Sequence, residues 1–99
     1  MLNLTPEQQA IFDRVVGIVT KNDELRRRYK LAYDDLNKNP NGRELDYIND
    51  SDEPDAVNFR DASDAVRIEV NNVAPSLKND DFWLFCRISS AICHNYIGA

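Results

Sequence analysis

The single histidine of the chain, His94, lies seven residues after Arg87, and each is preceded by a cysteine, Cys93 and Cys86. On a continuous α-helix, positions seven apart share a face. A guanidinium able to stabilise phosphate charge and an imidazole able to move a proton would then stand on one side. No other arrangement of nucleophile and base stands out, and any Ser–His or Cys–His pair must use the same imidazole. The ordinary alternative is that Arg87 and His94 form the polar edge of a mostly buried helix. Metal chemistry has less to build on. Cys86, Cys93 and His94 match no structural zinc spacing. Asp50 and Asp52 have the rhythm of calcium-loop oxygen ligands, but the central glycine and terminal glutamate of such a loop are missing. The sequence predicts no metal and no cofactor.

Binding is the other chemistry within reach. The net charge is −5, and its distribution says more than its total. Residues 1–30 carry six basic and four acidic groups, residues 31–60 three and eight, and residues 61–99 three and five. An acidic surface concentrated in the middle of the chain repels nucleic acid and attracts basic proteins, nucleases among them. The irregular run from Arg43 to Asp55 is the strongest candidate for such a surface, and an ordinary solvated loop is the plain alternative. The basic cluster Arg26-Arg27-Arg28, with Lys30, has phosphate binding as its functional reading. Short, flanked by acids and set in an acidic chain, it reads better as a solvated helix face.

The elements that must position these groups are helical. Ninety-nine residues suit a single domain, 1–99, large enough to bury a core without crosslinks. Thr5-Pro6-Glu7-Gln8 opens a first helix over 6–20, with Ile11, Phe12, Val15, Val16, Ile18 and Val19 at helical intervals. Asn22 caps a second over 23–38, whose stripe is Leu25, Tyr29, Ala32 and Leu36. Turn formers from Asn37 to Gly42 end it. Leu45, Tyr47 and Ile48 are suited to one short helical turn within the acidic segment at 40–54. Pro54 starts a third main helix over 55–72, buried through Val57, Phe59, Ala62, Ala65, Val66 and Val70. Its portion Val66 to Val70 also alternates as a strand would, but a lone strand has no partner elsewhere in the chain. The last helix, over 79–97, contains Phe82 to Ile97, where eleven of sixteen positions are apolar or aromatic. Such a helix is expected at the centre with the others packed around it. At about 24 Å it is too short to span a membrane. The fold class expected is all-α, a compact four-helix bundle. A side of the last helix left uncovered would favour a symmetric homodimer.

The N-terminus shows neither a basic start nor an apolar run ending in small residues, so the expected location is the cytoplasm. Cys86 and Cys93 lie about 10 Å apart along one helix, beyond disulfide reach, and read as reduced core thiols.

Two families are suggested by particular residues. Arg87, six intervening residues, His94, and then Asn95 and Tyr96 resemble the active-site signature of the HEPN ribonucleases, all-α proteins with Arg and His on one helix. In the closest version of that pattern the arginine stands at the position of Ser89. A longer resemblance runs through Tyr33-Asp34-Asp35-Leu36, Pro40-Asn41-Gly42-Arg43-Glu44-Leu45-Asp46-Tyr47 and Asp52-Glu53-Pro54-Asp55-Ala56-Val57. These segments look like the colicin and pyocin DNase immunity proteins over residues 5–70. There an aromatic and two acids close helix two, a short third helix carries contact tyrosines, and an acidic loop leads into the fourth. The resemblance implies a small acidic inhibitor that is not an enzyme, with Asp34, Asp35, Glu44 and Tyr47 as partner-binding residues. Ile48 stands where that family has a second tyrosine, and residues 76–99 have no counterpart in it. An inhibitor of a basic partner, a nuclease above all, is the first functional expectation, with an HEPN-like ribonuclease or its inactive relative as the alternative.

Overall fold

The computed structural model describes residues 2–97, and every regular element within them is helical. Helix α1, Pro6–Thr20, begins at a capping box: the Gln8 amide donates to the Thr5 hydroxyl, and the Thr5 amide donates to the Gln8 side chain. It buries Phe12, Val15 and Val19. The chain reverses through Lys21 and Asn22, whose side-chain oxygen accepts from the Leu25 amide at 3.0 Å. Helix α2, Asp23–Asn37, then buries Leu25, Tyr29, Ala32 and Leu36, the four residues of its sequence stripe.

The turn after α2 depends on Gly42. A methyl group built there would overlap the backbone carbonyl of Leu36, so no residue with a Cβ fits without moving the chain. Helix α3, Leu45–Asp50, follows with no buried residue of its own. Helix α4, Pro54–Val73, runs unbroken through 66–70. The ambiguity there is resolved by burial: Val66 and Val70, one turn apart, are fully buried, while Ile68 between them is 58% exposed. That is a helical period, and no strand occurs among the described residues.

The last expected helix is three pieces. Helix α5, Leu77–Asp80, is separated by Asp81 from helix α6, Phe82–Ile92, and the Asp81 carboxylate caps α6 by accepting from the Leu84 amide at 3.1 Å. A π-helical turn, Cys93–Ile97, continues the chain. The expectation that Phe82 to Ile97 is enclosed by the other helices is corrected. It buries one side, through Leu84, Phe85, Ile88, Ser89, Ile92, Cys93 and Ile97, while Phe82 is 53% and Trp83 77% exposed. The central helix is α4, in contact with α1, α2, α3 and α6. Its twenty residues make it about 30 Å long, room for several neighbours, and Ala56, Ala62 and Ser63 on its buried side let helix backbones approach closely. Apolar content counts residues, not neighbours.

The core formed this way is one cluster drawn from α1, α2, α4, α6 and the π-turn. Tyr29, Tyr33 and Phe59 add an aromatic group between α2 and α4, with ring centroids 5.5–6.3 Å apart. Phe12 meets Tyr96 edge-on at 5.9 Å, joining α1 to the π-turn.

Candidate functional site

The acidic segment is held in place by three polar side chains from three parts of the chain. The Tyr47 hydroxyl, on α3, donates to the Asp55 carboxylate in the first turn of α4 at 2.6 Å. The Asn39 amide, in the turn after α2, donates to the Tyr47 oxygen at 2.7 Å and to the other Asp55 oxygen at 3.2 Å. Asp55 also accepts from the Ala56 amide at 2.8 Å. The bond from Tyr47 is the main reason the Asp55 carboxyl lies below its ordinary range, and the same bond raises the Tyr47 phenol above its own. A second tie joins the segment to α4: Arg60 donates to the Ile48 carbonyl at 2.9 Å. The loop and α3 are thus tied down by polar bonds, beside which Tyr47 and Ile48 are only partly buried.

Around this anchor the sequence-predicted residues take different positions. Asp34, Asp35 and Glu44 are exposed. Glu44 precedes α3 without using its side chain to cap it. Asp35 is 3.6 Å from Lys38, an exposed pair of small energetic weight, while Asp34 and Glu44 have no ion pair among the described residues. Tyr47 is partly buried and its hydroxyl is spent within the fold, so its ring is the part that can meet a partner. From residue 34 to 55 the chain carries eight acids against Lys38 and Arg43.

Arg87 and His94 are both exposed, but the helix between them is not uniform. A π-helical turn begins at Cys93, so the spacing of seven ends one residue inside a wider turn. The residues that line the groove beside α1 are Arg87, Ala91 and Asn95, spaced by four, and His94 is not one of them. Cys93 is buried with its thiol pushed up to about 11 by that burial, so it is a protonated core group at neutral pH. Cys86 is a second free cysteine, partly buried.

Two of the four basic residues of the α2 cluster are answered locally, while Arg28 and Lys30 have no ion pair among the described residues. Arg27 pairs with Glu24 at 2.8 Å and Arg26 lies 3.7 Å from Asp23, each one turn back on the same helix. Among the described residues no group of three or more His, Cys, Asp or Glu side chains is gathered as metal ligands would be, and no helix is long and apolar enough to cross a membrane. Asn39 and Asp55, the two residues that fix Tyr47, read in sequence only as a turn former and a first-turn acid. Nothing in their spacing announces that they meet. No family model, curated protein or solved structure matches the chain.

Proposed function

We propose that this protein is a non-enzymatic inhibitor of the immunity type, which binds a basic protein partner, a nuclease, through the acidic surface bearing Asp34, Asp35, Glu44 and Tyr47. The observation that carries the reading is α3. A six-residue helix with no buried residue stands between the long helices α2 and α4, is fixed by the Asn39–Tyr47–Asp55 bonds, and leaves acids exposed on either side. An element that contributes nothing apolar to the core yet is held in one geometry is suited to recognition. The position of α3 also supports the resemblance to the DNase immunity proteins, whose short third helix falls at the same place in the chain.

The experiment is a pull-down from the native host, followed by a binding and inhibition assay with the basic partner recovered. Tyr47→Ala weakens binding about thirtyfold, mainly through faster dissociation, because interface energy concentrates in aromatic anchors. Neutralising Asp34 and Asp35 slows association and flattens its salt dependence, since exposed charges act through a screened field. Tyr47→Phe keeps the ring and loses only the internal hydroxyl bonds, so it separates contact from positioning. Unchanged binding by folded Tyr47→Ala and by the double neutralised variant removes this surface as the interface. The ribonuclease alternative is decided by purified protein and RNA: cleavage that disappears in His94→Ala would replace the inhibitor reading.

A further inference from the structure

A second candidate site lies elsewhere, between the residues that precede α1, α1 itself, and α6 with its π-turn. It is a groove of about 470 Å³ lined by Leu2, Leu4, Gln9, Phe12, Arg87, Ala91 and Asn95, within the size range of small-molecule sites. Four of these are apolar, and they meet one cation. Arg87 forms no ion pair and no hydrogen bond among the described residues, so its donors are open to a ligand, as are those of Arg28 beside another cavity, whereas Arg27, Arg60 and Arg67 are bonded to a carboxylate or a carbonyl. We propose that this groove binds a monocarboxylate carrying an apolar chain, with the Arg87 guanidinium taking the carboxylate in its two-pronged grip and Leu2, Leu4, Phe12 and Ala91 covering the chain.

The charge of the ligand follows from the donors present. Arg87 is the one cationic side chain lining the groove among the described residues. The amino end of α1 beside it is partly spent, because the Thr5 and Gln8 amides are bonded within the capping box, the Gln9 amide donates to the Thr5 carbonyl and Pro6 has no N–H. One guanidinium matches one negative charge in a planar, bidentate geometry, which is the geometry of a carboxylate. A phosphate dianion would bring a second charge that nothing in the wall neutralises, into a protein whose net charge is already −5. Asn95, one turn beyond Ala91, adds an amide that can meet a polar group at the ligand head.

The lone tryptophan, Trp83, lies one turn before Arg87 on the exposed side of α6 and provides the readout. Hexanoate, octanoate and decanoate are titrated into the protein with Trp83 fluorescence and amide chemical shifts recorded, beside octanol and octylamine. Octanoate is expected to saturate at millimolar concentration, shifting Leu4, Phe12, Ala91 and Asn95, with affinity rising two- to about fourfold for each added methylene. Arg87→Gln is expected to weaken octanoate about tenfold and leave octanol unchanged. Arg87 is exposed, so this variant keeps the fold, and Leu4→Ser serves as the second variant, reducing the dependence on chain length. N-acetyl-leucyl-leucine, added in a parallel arm, distinguishes a peptide carboxyl terminus from a free acyl chain as the carboxylate source. Absence of saturable binding by every carboxylate, shifts that map away from the groove, or octanoate affinity unchanged in Arg87→Gln overturns the proposal.

Discussion

Asp55 shows how a single side chain can tie a functional surface to the fold. Its carboxylate receives bonds from Tyr47, Asn39 and the Ala56 amide, and its folded pKa is lowered from the ordinary 3.8 by these bonds, the one from Tyr47 first. A group whose pKa is depressed on folding adds stability above its unfolded pKa and loses it as pH falls through the folded value. The contribution is therefore complete at neutral pH, begins to fall below about pH 4 and is gone once pH is below the lowered folded value. Asp55→Asn is expected to lower thermal stability at pH 7 and to flatten its decline between pH 5 and pH 2, measured by circular dichroism. A decline as steep as in the parent assigns the acid sensitivity to other carboxylates. The same variant should loosen α3 first, visible as faster amide exchange at Ile48 and Ser51, whose amides donate to the Glu44 and Tyr47 carbonyls.

Among the elements, the turn between α2 and α3 is the least forgiving. The Gly42 amide donates to the Asn39 carbonyl at 2.9 Å, and the Glu44 amide to that of Asn41 at 3.0 Å, so two turns overlap within six residues. The chain passes so close to the Leu36 carbonyl that a Cβ has no space, although Gly42 has no left-handed backbone conformation. Gly42→Ala is expected to destabilise the protein by about 1–3 kcal/mol, because the clash is with backbone that cannot rotate away. Denaturant unfolding checks this. Gly17, where a Cβ would meet nothing within 4 Å, is the control: Gly17→Ala in the middle of α1 should be neutral or stabilising by up to about 1 kcal/mol. Equal effects at the two glycines would contradict the packing of the turn.

At the scale of the whole molecule, the last helix leaves the homodimer expected from the sequence as a measurable proposal. Phe82 and Trp83, adjacent at the start of α6, are two of the large apolar side chains that face solvent. Exposed aromatic surface of this kind favours self-association. Sedimentation at micromolar concentration is expected to show a species larger than the 11.4 kDa chain, and Trp83→Ala is expected to return it to the monomer. A single 11.4 kDa species at all concentrations removes the dimer.

The sequence by itself determined the helices and most of the faces they bury. The capping box at Thr5, the Asn22 cap, the α2 stripe from Leu25 to Leu36 and the entry into α4 at Pro54 are local matters, decided by residues within a turn or two of each other, and periodicity reports them directly. Tertiary structure decided the rest. Which helix is central depended on how many neighbours each can accept, so the long α4 with its small buried residues displaced the more apolar α6. The π-turn that begins at Cys93 and includes His94 was not announced by the sequence either. The candidate surface divides in the same way. The exposed acids Asp34, Asp35 and Glu44 were legible as charge in sequence. The bonds that place Tyr47 were not, because Asn39, Tyr47 and Asp55 are separated by eight residues at each step and meet only when α3 docks between the turn and α4.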